Sequence, residues 1–472
     1  MKYSENMDVF LVKNNFSARP STGRGLWVLF LLPISLIISL IRHPITVTPT
    51  YKLATLVSFT LLCNSLYIVI KCFKREKLKI LNTYSTFIAI STGCLFHVCL
   101  HKGWTFSILS GVVPTLMYLK VFSFLLTNLK ESFTLGEAGL ISQGLTIFVY
   151  STFINVFRFG SRTTVKSNMQ ISTLIIQVGL CGILTLALLL YKFSIKNVKY
   201  FYVTTTIVLT ATIIVPLHAI LKQSPVLWIF QQVFDDVVLL KLFLYWSTCI
   251  AVAILAVSNQ IYYAQKASTS SRKVFHILAV LVYIPGLYFK CAFLYLSTGV
   301  VLGVFLALEI LRLLSIPPLG QGLQDGFVVF KDEKDGGPLA LTPIYLLAGV
   351  SLPIWLHPSP CDVTDSAQFY ILPLLSGLAS IGIGDTAASY VGSKFGRFKW
   401  KGSSRTFEGT LACFVGQLAF FYFLHYIGFI PNATSEYVIK IVASSVVSSL
   451  VEAKTTQIDN LVLPLIMYII LS

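Results

Sequence analysis

Between Gly382 and Gly409 the chain reads Gly-Ile-Gly-Asp-Thr-Ala-Ala-Ser-Tyr-Val-Gly-Ser-Lys-Phe-Gly-Arg-Phe-Lys-Trp-Lys-Gly-Ser-Ser-Arg-Thr-Phe-Glu-Gly. An apolar segment ends here, and the stretch combines Asp385, a set of glycines, five basic residues and Glu408. A nucleoside triphosphate asks for this mixture. Glycines let backbone N–H groups approach phosphate oxygens, Lys and Arg neutralise them, and carboxylates hold Mg²⁺. The stretch is not a Walker A loop, because Gly392-Ser-Lys394 lacks the preceding Gly-x-x-x-x spacing. The competing reading is a basic loop that only sets membrane orientation, beside a small-residue helix-packing face.

Other residues carry weaker signals. Asp385 sits about one turn from the end of an apolar segment, where an ionised carboxylate needs a partner or a metal; a packing ion pair with Lys394 or Arg397 is the bland account. Glu408 opens a helix after Thr406, where the helix dipole favours an acid regardless of function. Glu452, Asp459 and Asn460 lie within nine residues at a segment boundary. They could complete a metal site, or form a turn capped by Thr455 or Thr456. Arg272, Lys273 and His276 open another apolar segment, where basic residues usually snorkel and a lone His is usually packed. Glu309 and Arg312 are spaced to pair along a helix. Asp332–Gly337 reads as a solvated loop.

The elements that must position these residues follow from composition. Of 472 residues, 55% are hydrophobic and 12% charged, against about a quarter charged in a soluble protein. Runs such as 26–41, 53–70 and 237–256 are long enough to cross a bilayer core as helices. The expected fold is all-α and polytopic, with about 15 transmembrane helices (range 13–15, by the span length a bilayer requires). Residues 1–25 are expected to form a cytoplasmic tail and not a cleaved signal peptide. Residues 26–262 read as an N-terminal transmembrane bundle without a motif, and 263–472 as a C-terminal catalytic region. Twelve of the nineteen acids fall after residue 260.

The net charge of +17 points to no nucleic-acid partner here, because the basic residues occupy short loops between apolar runs. With a cytoplasmic N-terminus, the cytoplasmic loops hold 25 Lys+Arg and the opposite loops 8, the bias that sets orientation. On this topology Arg272–His276, Glu309–Arg312, Asp325–Asp335, Asp385–Glu408 and Glu452–Asn460 share the cytoplasmic face. Acids contribute little to orientation, so their shared side argues for one polar site. The nine cysteines show no CxxC and no Cys/His metal spacing, and give no expectation of a disulfide framework.

At these residues the sequence resembles the dolichol kinases, CTP-dependent polyprenol kinases of the endoplasmic reticulum. The resemblance rests on Arg272-Lys-Val-Phe-His276, on Gly382-Ile-Gly-Asp-Thr-Ala-Ala-Ser389 through Phe407-Glu-Gly409, and on Glu452-Ala-x-x-Thr-Gln-Ile-Asp-Asn-Leu461 with Pro464. It is specific over roughly residues 270–472. It implies a multi-pass enzyme of the endoplasmic reticulum membrane, with its site facing the cytoplasm, that phosphorylates dolichol from CTP for protein glycosylation. It implies CTP binding by the Asp385–Glu408 segment as a whole: Gly384, Asp385, Thr386, Ser389, Gly392, Lys394, Gly396, Arg397, Lys399, Lys401, Arg405, Thr406 and Glu408. Within this frame Asp385, Glu408 and His276 are the catalytic candidates and Arg272 and Lys273 phosphate contacts. Asp385, Glu452 and Asp459 are the candidate Mg²⁺ ligands.

A CTP:lipid cytidylyltransferase, or a kinase of another lipid alcohol, would want the same residue types. A transporter would place its charges near the membrane midplane, often within internal repeats, and no repeat is evident. The topology itself is testable: Asn432-Ala-Thr434 falls on the lumenal side and Asn15-Phe-Ser17 in the cytoplasm. Glycosidase digestion of membrane-expressed protein is expected to show a glycan at Asn432 and none at Asn15; a glycan at Asn15 inverts the orientation.

Overall fold

The computed structural model describes residues 2–160, 167–193, 197–263, 269–331, 335–362, 364–430 and 434–472. Asn432 and Asp332 lie outside the described residues. A chain this apolar must satisfy its backbone N–H and C=O groups internally, which in a bilayer means helices. Among the described residues every regular element is helical, and β pairing is limited to an isolated bridge between Lys399 and Thr406.

The N-terminal half starts with α1 (Lys2–Asn14) and a 3-10 helix (Thr22–Phe30) that runs into α2 (Leu31–Arg42). Then follow α3 (Pro49–Phe73), α4 (Thr83–Leu100), α5 (Trp104–Asn128), α6 (Leu135–Gly160) and α7 (Asn168–Phe193). A π-turn joins α8 (Val198–Leu209) to α9 (Val215–Leu221), ahead of α10 (Pro225–Asp235) and α11 (Val237–Tyr262). The remainder comprises α12 (Thr269–Phe289), α13 (Cys291–Leu313), α14 (Gly320–Phe330), α15 (Leu341–Leu356) and the single turn α16 (Ile371–Leu374). A π-helix (Leu378–Asp385) continues into α17 (Thr386–Phe395), and α18 (Phe407–Tyr426), α19 (Ser435–Lys454) and α20 (Asp459–Leu471) close the chain. Starts are set by local chemistry. Asn82 and Ser85 form a capping box on α4, and Asp236 and Thr406 accept backbone N–H groups at the starts of α11 and α18.

Eleven described helices are long and apolar enough to cross a membrane, or twelve counting the bent pair 368–374 and 378–395. The sequence leads to about fifteen by the same length rule. The difference lies in α15 and α20, which are apolar but short, and in α19, whose Glu436, Lys440, Glu452 and Lys454 make it too charged for that count.

The main apolar core does not stop at residue 262. Phe10, Leu29, Leu61, Phe122 and Leu135 pack in one cluster with Tyr345, Leu461, Val462 and Tyr468. Ser39 bonds the Tyr468 hydroxyl at 2.7 Å, and the Tyr51 hydroxyl donates to the Leu356 carbonyl at 2.7 Å. The last helix is thus seated in the N-terminal bundle. A second core joins α11, α12, α15, the π-helix and α18.

One expectation is overturned. Cys291 and Cys361 form a disulfide, closing 70 residues. Spacing could not reveal it, because the partners are brought together by the return of α15 beside α13. The loop around it is built to match: the Asp365 carbonyl accepts from Cys291 N–H, and its carboxylate accepts from Ala292 N–H at 2.7 Å. Nearby Lys290 pairs with Asp236 at 2.5 Å, and that bond holds the Asp236 carboxyl below its usual range. Cys291 opens α13, and Glu309 and Arg312 lie in that helix's last turns, about 30 Å away by the helical rise. Thiol-alkylation mass shifts should find Cys291 and Cys361 blocked until reduction. Cys291→Ser should lower thermal stability in detergent, by about 2–4 kcal/mol for a loop of this kind; free, alkylatable thiols at both positions would show the bridge absent.

Candidate functional site

Asp385 terminates the π-helix. Under-wound single π-segments are uncommon and concentrate at functional sites. Here the chain permits one because its small residues let neighbouring helices close in. A Cβ on Gly384 would come within 2.3 Å of Gln417 Nε2, and one on Gly382 within 2.3 Å of Val280 Cγ2. The segment is therefore held tightly between α12 and α18, and Asp385 is only 2% exposed. Lys273, from the first turns of α12, forms an ion pair with its Oδ2, and His276 Nε2 lies 3.5 Å from the same oxygen. Lys273 and His276 are three residues apart and share a helix face. Among the described residues His276 Nδ1 and Thr386 Oγ1 are buried without a hydrogen-bond partner. The site thus offers a paired carboxylate beside unfilled polar capacity, which a bound hydroxyl or phosphate oxygen can take up.

A second charged cluster lies where α18, α19 and α20 meet. Arg405 pairs with Glu452, which is 3% exposed, and reaches Asp459 Oδ2 at 3.2 Å. Two carboxylates with hard oxygen donors suit Mg²⁺, which takes one or two protein carboxylates and completes its shell with water and phosphate oxygens. Among the described residues no three His, Cys, Asp or Glu side chains gather into a ready-made metal cage.

The loop between α17 and α18 folds back on itself. Trp400 N–H donates to the Arg405 carbonyl and Phe407 N–H to the Phe398 carbonyl, with Gly402 at φ +77° in the turn. Glu408 accepts from Phe398 N–H at 3.2 Å, and the Trp400 indole donates to Thr410. Lys394 is turned onto Tyr390, donating to its hydroxyl at 2.8 Å. Arg397, Lys399 and Lys401 are exposed. The result is a compact basic finger whose root is Arg405.

Several expectations change in light of this geometry. The Asp385 partner is Lys273, not Lys394 or Arg397, so Lys273 turns inward and does not snorkel. Asp385 pairs with Lys273, while Glu452 and Asp459 pair with Arg405, so the three candidate metal ligands are held by different cations. Glu408 supports the loop, and Thr406 caps α18 by accepting from Gly409 N–H. Gly392, Gly396 and Gly409 surround Thr406, and a Cβ at Gly396 would meet its side chain at 2.5 Å; these glycines serve the close packing of α17 on α18. Neither Thr455 nor Thr456 caps α20, whose N-cap is Ile458. Asp335 is not solvated but buried, accepting from Thr342. Glu309 and Arg312 do pair, and Arg312 also holds Gln324 and the Pro338 carbonyl.

The motif reading misses one element of the site, contributed by the first 260 residues. Glu137, fully buried in the first turn of α6, accepts from Arg19 and from the backbone N–H groups of Thr134 and Ile458. Gln457, beside Ile458, accepts from Thr134 and donates to Ser21. The 455–459 loop, which delivers Asp459 to Arg405, is thus anchored on the N-terminal bundle. The available signal was Glu137 itself, a lone acid at the edge of an apolar span.

With this geometry in hand, comparison with known proteins is informative. A family profile described as dolichol kinase matches residues 82–397. The chain is 34% identical over 400 residues to the dolichol kinase of Homo sapiens, covering 81% of this chain and 73% of that protein. It is 33% identical over 398 residues to the dolichol kinase of Mus musculus, with the same coverage. Dolichol kinase sec59 of Schizosaccharomyces pombe is 28% identical over 402 residues, covering 80% of this chain and 78% of that protein. The likeness reaches into the N-terminal half and is not confined to residues 270–472. No solved structure matches the chain.

The anchoring of the 455–459 loop is open to mutation. Glu137→Ala leaves Arg19 buried without its carboxylate and removes the acceptor for Ile458 N–H. A loss of about 3–5 kcal/mol is expected for breaking a buried pair, read as a lowered unfolding temperature in detergent. An unchanged unfolding temperature would show that the loop is held by other contacts.

Proposed function

This chain belongs to the dolichol kinase family, and we propose that it phosphorylates dolichol by transferring the γ-phosphoryl group of CTP to the lipid hydroxyl, with CDP as the second product. The observation that carries the reading is the buried Asp385, held by Lys273 and flanked by His276 within the second half of a broken span. A polar pocket at the mouth of lipid-facing helices is where a membrane alcohol and a water-soluble nucleotide can meet.

Phosphoryl transfer asks the protein for positioning and charge neutralisation more than for covalent help. Asp385 accepts a hydrogen bond from the dolichol hydroxyl and receives its proton as the new O–P bond forms and the bond to the CDP oxygen breaks. Lys273 keeps Asp385 oriented and faces the developing charge, and Arg272 lies in the same turn of α12. The basic finger, with Lys394, Arg397, Lys399, Lys401 and Arg405, closes over the triphosphate, and Arg405 exchanges its carboxylate partners for phosphate oxygens. Glu452 and Asp459 would hold Mg²⁺, which supplies charge neutralisation for the β- and γ-phosphates when bound.

We place this site on the cytoplasmic side of the endoplasmic reticulum membrane. The charge bias of the loops supports that side. The Cys291–Cys361 disulfide lies at the opposite end of α13 from Glu309 and Arg312, and disulfides persist in oxidising compartments such as the lumen. The product would serve as the lipid carrier for protein glycosylation.

Purified protein given Mg²⁺, dolichol and CTP labelled at the α- or the γ-phosphate decides the reaction class. Label is expected in the lipid from γ-labelled CTP only, and Asp385→Ala should cut the rate about 100-fold or more, the range for a lost proton-transfer group. Label entering from α-labelled CTP would make the protein a cytidylyltransferase, and nucleotide uptake into vesicles without turnover would make it a transporter.

A further inference from the structure

A lateral groove of the molecule has a volume of about 650 Å³, within the range of ligand sites. It is walled by Val252 of α11, by Val274, Leu278 and Leu281 of α12, and by Ile383 and Ala387 of the π-helix and α17. Its lining is almost wholly apolar, and it opens sideways between helices long and apolar enough to span the membrane. Val252, Val274 and Leu281 are each about half exposed, so the opening faces lipid and not water on the topology derived above.

The polar side chains in the wall are few: Lys273, Thr386, Ser389 and Tyr390. Lys273 and Thr386 both line the groove. Lys273 is the partner of Asp385, Thr386 follows Asp385 directly in the chain, and the Thr386 hydroxyl is buried without a partner among the described residues. An apolar trough open to the bilayer and lined at Thr386 by an unsatisfied hydroxyl and at Lys273 by an ammonium, itself paired with the buried Asp385 carboxylate, fits a long-chain alcohol. A second groove, about 400 Å³ between Trp27 and α19, fits one less well: its charged residue is the exposed Lys454, and Lys273, the partner of Asp385, does not line it.

We infer that this groove is the acceptor-lipid site: the first isoprene units of a polyprenol lie between α11, α12 and α17, with the hydroxyl at Thr386, Lys273 and Asp385 and the tail leaving sideways into the bilayer. This rests on the polyprenol kinase reading and adds to it the path of the lipid and the wall that senses its first units. Binding energy then comes from apolar contact along α11 and α12, while the polar side chains fix which atom is presented for reaction. A chain seated there is held before any nucleotide arrives, so acceptor binding does not require the basic finger.

A polyprenol carrying a diazirine close to its hydroxyl, photolysed with the wild-type protein in nanodiscs, tests the placement independently of turnover. The crosslink is expected in the peptides covering 272–283 and 383–390, and excess dolichol should remove it. Crosslinking instead to 447–457, or evenly over lipid-exposed helices, would overturn the assignment. In parallel, Val274→Trp and Leu281→Trp fill the groove from the lipid side. They are expected to raise the polyprenol KM about tenfold with the CTP KM unchanged, the signature of lost ground-state binding; an unchanged polyprenol KM in folded variants counts against the groove. Should wild-type protein transfer no phosphate to any polyprenol, the kinase reading fails, and the crosslink still decides whether the groove takes such a lipid.

Discussion

A carboxylate inside a membrane-embedded bundle must have a counter-charge, because its desolvation costs several kcal/mol that only a close, well-bonded partner offsets. The architecture follows from how four of the buried acids meet this demand. Asp385 takes Lys273 across from α12, Glu452 takes Arg405 from the loop before α18, Glu137 takes Arg19 from the N-terminal segment, and Glu309 takes Arg312 within its own helix. Three of the four pairs tie together elements far apart in sequence. Apolar packing, which is tolerant of sliding, could not fix their register alone; a buried ion pair has one geometry and fails if displaced.

These pairs also explain why the polar site can exist without a soluble domain. The two clusters flank α18, which packs on both the π-helix and α19. In the proposed reaction the basic finger rooted at Arg405 serves the nucleotide, and the groove lined by Lys273 serves the lipid. The division suits a reaction whose two substrates come from different phases, since each can approach without crossing the other's path. The π-helix is the hinge of the arrangement. Its small residues let two helices close on it, and its end presents Asp385 to α12 and not to the loop that follows it in sequence.

The N-terminal bundle contributes more than membrane anchorage. The same core that buries Phe122 and Leu135 buries Val462 and Tyr468 of the last helix, and Glu137 and Gln457 fasten the turn before it. A site residue near the end of the chain, Asp459, is therefore positioned by residues more than three hundred positions earlier. At the opposite end, the disulfide and the Lys290–Asp236 pair hold the entry to α13. The helix is fixed at both ends by different chemistry.

The sequence by itself determined the class of the protein and its helical fold, and it singled out Asp385 as a candidate around which a site is proposed. Those properties are local: an apolar run long enough to span a bilayer can satisfy its backbone only as a helix, and an acid such as Asp385 at the end of one stands out whatever surrounds it. The start of a helix after Thr406 and the pairing of Glu309 with Arg312 were legible for the same reason, because both depend on residues within one helical turn. What only the tertiary structure decided was which charges meet. Lys273 in place of Lys394, Arg405 bridging Glu452 and Asp459, Glu137 reaching Ile458, and Cys291 joined to Cys361 all depend on helix order and crossing. Apolar packing sets that order through contacts spread over many residues, and no short spacing in the chain encodes it.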